Sequence, residues 1–102
     1  EPRHATWFTP EADALLKTHR VAQVAADPAI VPQAARPGGW PGLVYYRWHG
    51  SPRRYYSAYT PEALQGLAQE IQAFEGDVWV IFDNTAGGEA VGNGLELGVS
   101  LY

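Results

Sequence analysis

Cysteine is absent from the 102 residues. Without it there is no disulfide framework, no thiol nucleophile and no cysteine-ligated zinc or iron–sulfur centre. Methionine is absent too, and the sequence opens on Glu1. The polypeptide is therefore expected to be processed, or to be a piece of something longer. Excess positive charge is also missing. Seven Lys and Arg against 11 Asp and Glu leave a formal charge of −4, so no global pull toward nucleic acid or anionic lipid follows. Long apolar runs are missing as well. Val78–Phe82 is far below the ~20 residues that a membrane helix needs. Glu1 to Trp7 is polar and charged, unlike a signal peptide, and a cytoplasmic location without membrane contact is the expectation. The length suits one small domain and excludes a closed eight-stranded α/β barrel, which takes about 250 residues.

What is present describes a packed chain: 46% of residues are hydrophobic and 18% charged, outside the range of disorder. Three short apolar runs, Val21–Ala26, Leu43–Trp48 and Val78–Phe82, have the length and residue types of strands. Thr9-Pro10-Glu11 and Thr60-Pro61-Glu62 both read as helix starts, with Thr as cap, Pro at the first position and an acid in the first turn. Leu64, Leu67, Ala68 and Ile71 then form an apolar stripe at helical spacing, and Gly76 stands where a C-terminal cap belongs. A last helix over Glu89–Tyr102 is expected in spite of Gly92, Gly94 and Gly98, each costing about 1 kcal/mol relative to Ala. The Pro- and Gly-rich segment from Asp27 to Gly42 reads as a loop, with one helical turn near Val31–Ala35. The order is helix, strand, loop, strand, helix, strand, helix. This predicts a single α/β domain over residues 1–102, with parallel strands and right-handed crossovers.

Several stretches share a further pattern. They are Glu1-Pro2-Arg3-His4 with Trp7-Phe8-Thr9, Ala25-Ala26-Asp27, Tyr45-Tyr46-Arg47-Trp48-His49-Gly50, Tyr56-Ser57-Ala58-Tyr59, and Asp83-Asn84-Thr85 with Gly88-Glu89-Ala90. In this order, and over nearly the whole chain, they resemble the C-terminal part of DUF72, the YecE-like family of unknown function. The Y-x-R-x-H-G and Y-S-x-Y stretches and the F-[DN]-N-T turn carry the resemblance; the rest is general α/β pattern. It implies roughly the last four β/α units of a TIM-like β/α barrel, an incomplete barrel without the N-terminal half. Asp83 stands where the family often shows Asn, which adds a carboxylate at a strand end.

Parallel sheets bind ligands beyond the carboxyl ends of their strands. Asp27, His49, Asp83 and Asn84 fall there, and Arg3 and His4 join them if they follow a preceding strand. The two-residue period puts Tyr45, Arg47 and His49 on one face, with Val44, Tyr46 and Trp48 on the face that packs under helices. A guanidinium in an apolar strand needs a partner. Arg47 therefore reads either as an anion clamp, helped by Arg3, or as one half of an internal ion pair with Asp27 or Asp83. His49 reads as a general acid/base with Asp27 as its carboxylate partner, or as a histidine that orders the turn at Gly50. The leading expectation is a binding or catalytic half-site for a small anionic ligand bearing phosphate or carboxylate. Catalytic candidates are His49 and Asp27; ligand-binding candidates are Arg3, His4, Arg47, Asp83 and Asn84.

Other readings compete. His4, Asp27, His49 and Asp83 are N/O donors of metal-ligand type, but no compact metal motif is present. Arg53, Arg54, Tyr55, Tyr56 and Tyr59 interleave charge with aromatic rings, as a nucleic-acid contact module does, although the net charge opposes this. Gly87-Gly88 before a helix could hold a phosphate or form a plain turn. An open barrel face would also expose Tyr45, Arg47, His49 and alternate residues of Val78–Phe82. That predicts either a homodimer or a missing half-barrel over it. The remaining reading is an inactive fragment of a larger barrel. The residues leave open both the cofactor and whether the chain is an enzyme.

Overall fold

The computed structural model describes all residues, Glu1–Tyr102. Three helices carry the sheet. Helix α1 (Pro10–Thr18) starts where Thr9 Oγ1 accepts from Ala12 N at 3.2 Å. Helix α2 (Pro61–Gln72) starts the same way at Thr60 and Ala63, and it buries Leu64, Leu67 and Ala68. Helix α3 (Glu89–Leu101) buries Asn93 and Leu97. Its glycines are tolerated because packing of one face outweighs propensity, and nothing lies within 4 Å of a side chain built at Gly92 or Gly98. No helix is long and apolar enough to cross a membrane.

The main sheet has three parallel strands in the order β2 (Ala25–Asp27), β4 (Leu43–Trp48), β5 (Asp77–Phe82). Helices α2 and α3 cover one face. Val44 and Tyr46 meet Leu64, Leu67, Ala68 and Leu97 there, and Val78, Val80 and Phe82 pack against them. On the opposite face Trp79 remains 57% exposed. The alternation read from Leu43–Trp48 is therefore the observed one.

Two sequence expectations are corrected. The run Val21–Ala26 is not one strand. It divides at Val24 into β1 (Ala22–Gln23), which pairs antiparallel with β3 (Gly38–Gly39), and β2, which joins the parallel sheet. The glycine pair makes this possible. Gly39 has φ +65°, and a Cβ there would lie 2.5 Å from Val21 O, so only glycine lets the two backbones approach. The loop from Asp27 to Gly42 thus holds a short strand besides the expected helical turn, found as a 3₁₀ turn at Pro32–Ala35. The second correction concerns Gly76. Helix α2 ends at Ala73, whose N–H bonds to Glu70 O and Ile71 O. The tightened last turn satisfies these carbonyls, and Gly76 is not the cap.

Asn93 ties the layers together. Its Oδ1 accepts from Tyr59 N at 3.0 Å and from Asn84 Nδ2 at 2.8 Å, all in the interior. Asn93→Ala would leave Tyr59 N buried without an acceptor and Asn84 Nδ2 with Ser57 O alone. It should lower stability by about 1–3 kcal/mol, read from urea unfolding, with the fold retained by circular dichroism. An unchanged midpoint would show that these bonds do not form in solution.

Candidate functional site

The carboxyl ends of β2, β4 and β5 are held level by hydrogen bonds that continue past the strands. His49 N donates to Asp27 O, and Asp83 N donates to Trp48 O, both at 2.7 Å. The chain then turns at Gly50, whose φ of +109° and close approach to Arg53 O and Tyr55 N require glycine. These constraints fix where His49 and Asp83 stand.

His49 does not meet water as the open-face expectation had it: Glu1 covers it, and it has no exposed surface. Its Nδ1 lies 3.1 Å from Asp83 Oδ2, and its Nε2 lies 3.0 Å from Glu1 Oε2. A neutral imidazole donates from one nitrogen only, so both contacts are donated bonds only in the doubly protonated ring. Arg47 closes the figure from the same strand face. Its Nη2 lies 3.1 Å from Asp83 Oδ2, and its Nη1 lies 3.3 Å from Glu1 Oε1. Glu1, His49, Asp83 and Arg47 thus form a ring in which carboxylates alternate with nitrogen bases. Arg3 adds its Nε at 3.2 Å from Glu1 Oε2. Burial works to raise the Glu1 pKa, but the His49 hydrogen bond and the charges of His49, Arg3 and Arg47 outweigh it and hold the carboxyl below its ordinary value.

Asp27 does not serve His49. Its Oδ2 accepts from the Tyr59 hydroxyl at 2.7 Å. The same hydroxyl accepts from Gly50 N at 2.9 Å. Burial, then the Asp27 bond, pushes the Tyr59 hydroxyl well above the usual phenol range. Asp27 and Tyr59 therefore brace the turn behind the site. Asn84 is also interior, not on a rim: its Nδ2 donates to Ser57 O and Asn93 Oδ1, while its Oδ1 is buried without a partner. His4 stands apart, with its Nδ1 2.9 Å from Thr6 Oγ1 at the head of a 3₁₀ turn.

The other expected groupings also change. Of His4, Asp27, His49 and Asp83 only His49 and Asp83 meet, and no set of three or more His, Asp or Glu side chains is placed to hold a metal ion. Tyr59 is 8% exposed and belongs to the core, so it offers no stacking surface. Arg53 lies over Tyr56 at 3.8 Å, and Arg54 over Tyr55 at 5.3 Å. Gly88, at φ +79°, forms the turn into α3.

Glu1 is the site residue that the sequence reading missed, although it opens the Glu1-Pro2-Arg3-His4 stretch. An acid two residues before an arginine, ahead of a strand carrying Arg47 and His49, is the signal that could have found it. A cleft of about 340 Å³ reaches the ring through Glu1 and Arg3, and Trp7 and Gln23 also line it. Arg47 and His49 do not line it.

The depressed Glu1 pKa has a defined pH consequence. A carboxyl lowered in the folded state adds stability that is fully present above its unfolded value and is lost as pH falls through the folded one. With the ordinary value at 4.5, thermal melts taken from about pH 6 down to about pH 2 should lose stability on the acid side. Glu1→Gln should flatten part of that slope. A variant with the full native slope would mean that Glu1 does not hold its partners in solution.

The chain has relatives of known structure. A DUF72 protein from Thermotoga maritima is 26% identical, with a TM-score of 0.78 over 99% of this chain and 44% of that one. A DUF72 protein from Enterococcus faecalis V583 is 24% identical, with a TM-score of 0.73 over 97% of this chain and 46% of that one. The chain therefore spans less than half the length of each. No curated protein matches it. The family model described as protein of unknown function DUF72 matches residues 1–101, and the chain belongs to that family.

Proposed function

We propose that the carboxyl end of this sheet is a receptor for a small anion bearing a carboxylate or phosphate. One observation carries the reading: three cationic or proton-bearing side chains converge on one carboxylate. Arg3, Arg47 and His49 all reach the two oxygens of Glu1, at 3.0 to 3.3 Å. Such a convergence of guanidinium and imidazole donors suits a carboxylate or a phosphate equally.

The roles differ with exposure. The Arg47 side chain is 38% exposed and that of Arg3 is 56% exposed. Both keep donors beyond those turned to Glu1, and they are the groups that would meet the ligand. His49 is sealed behind Glu1 and acts as a positioning group that can pass a proton between Glu1 and Asp83. Glu1 competes with the ligand for the same donors, so binding would require its carboxylate to swing aside. This account replaces Asp27 by Asp83 and Glu1 as the carboxylate partners of His49.

A barrel would place this receptor at its catalytic end. We take the parallel sheet as one part of such a barrel, acting in the cytoplasm. The exposed Trp79 face is then the one that further strands cover, since parallel sheets are normally buried on both sides.

Inorganic phosphate tests the receptor. Titration followed by the Arg47 Nε–H resonance should show saturable binding. Glu1→Gln should strengthen it by about tenfold, or 1.4 kcal/mol, by removing the competitor. Arg47→Ala should abolish it and lower the melting temperature, since Glu1 and Asp83 lose a shared partner, with the fold retained by circular dichroism. If neither the native chain nor Glu1→Gln binds phosphate or acetate saturably, the receptor assignment is wrong.

A further inference from the structure

A second cleft, of about 350 Å³, is lined by Trp7, Asp13, Gln23, Arg36 and Gly38 among others. It shares Trp7 and Gln23 with the first but includes none of Glu1, Arg3, Arg47 or His49. Its contents are selective. Trp7 is 44% exposed and offers an indole surface to the cleft. Gln23 is the opposite case: it is 7% exposed, sits in β1 opposite Gly38 and lines the cleft, and its amide is not among the sealed polar atoms, so it keeps access to the surface. The amide rests against Gly38, where a Cβ would come within 3.1 Å of Nε2, so the glycine leaves the space in which it stands.

Two charged residues line this cleft, Asp13 and Arg36. Asp13 is already answered, by Lys17 Nζ at 2.7 Å and by Gly39 N at 2.9 Å. The Lys17 hydrogen bond, followed by that from Gly39, holds its carboxyl below the ordinary value. Arg36 is exposed and has no acidic partner within salt-bridge distance. The cleft therefore offers an aromatic surface, an amide open to donate and accept, and a guanidinium without an acidic partner.

From this set we infer that the cleft between α1 and the Gly38–Gly39 strand binds a small organic anion built on a flat ring with an amide-type edge, the chemistry of a nucleoside monophosphate. The ring stacks on Trp7. The edge pairs with the Gln23 amide, which offers one acceptor and two donors in a plane, as glutamine does toward a base edge. The anionic group reaches Arg36, whose fork suits phosphate. A free sugar acid would satisfy Arg36 but would present no planar amide edge to Gln23. Inorganic phosphate would leave both Trp7 and Gln23 unused. This site shares no ligand-contacting residue with the receptor proposed above, so each stands or fails alone.

The test follows the indole Nε1–H resonance of Trp7, assigned by its loss in Trp7→Phe. Uridine monophosphate should shift it saturably. Uridine should do so about tenfold more weakly, and glucuronate and inorganic phosphate should leave it unmoved. Arg36→Gln should reduce uridine monophosphate to the level of uridine. Gln23→Leu removes the amide without leaving a cavity; it should weaken both nucleosides about tenfold with the melting temperature held. If Gln23→Leu fails to fold, Gly38→Ala, which crowds the amide from the strand opposite, should weaken them in the same way. An unmoved Trp7 signal with uridine monophosphate overturns the inference. So does a stronger response to glucuronate, or equal binding by the native chain and the Arg36→Gln and Gln23 or Gly38 variants.

Discussion

An imidazole with no access to water must have both ring nitrogens answered inside the protein. His49 meets that demand with two carboxylates, Asp83 on one side and Glu1 on the other. Two carboxylates brought this close would repel each other without compensation. Arg47, two residues earlier on the same strand face, spans them from outside. Every charged group of the ring is thus explained by the others. Removal of one leaves a neighbour uncompensated in a partly buried place, which costs more than the intact contact contributes.

The ring in turn depends on the parallel sheet. Strands β4 and β5 run in register from Leu43 opposite Asp77 to Trp48 opposite Phe82. One more step along each strand places His49 and Asp83 side by side. Behind them, the Tyr59 hydroxyl ties Asp27 to Gly50, and Asn93 ties Tyr59 to Asn84. This inner polar layer keeps the turns after β2, β4 and β5 at a common height. The charged layer in front can then be partly open to water without loss of geometry.

Much of this was legible in the sequence. The two Thr-Pro-Glu starts announced α1 and α2, and the alternation Tyr45, Arg47, His49 separated the site face from the core face. That Arg47 could need an internal carboxylate, Asp27 or Asp83, followed from the cost of burying a guanidinium; the structure supplies Asp83. Other parts were not legible, for physical reasons. The partner change at Val24 depends on Gly38 and Gly39, some fifteen residues away along the chain, and no local pattern reports it. Asp27 and Asp83 both end strands, so composition alone could not tell which one faces His49; the Tyr59 hydroxyl claims Asp27. Glu1 was passed over because its role depends on contacts with residues 46 and 48 positions away. Gly76 looked like a cap, but Ala73 closes the helix first.

The central claim is that Glu1 and Asp83, which do not touch each other, act as one unit through His49 and Arg47. A double-mutant cycle measures this directly. Urea unfolding of the native chain, Glu1→Gln, Asp83→Asn and the double variant gives their coupling energy. The ring predicts non-additivity of about 0.5–3 kcal/mol, because both substitutions act on the same two bases. Effects that add to within about 0.3 kcal/mol would contradict it, and would mean that the two carboxylates sit beside His49 as independent neighbours.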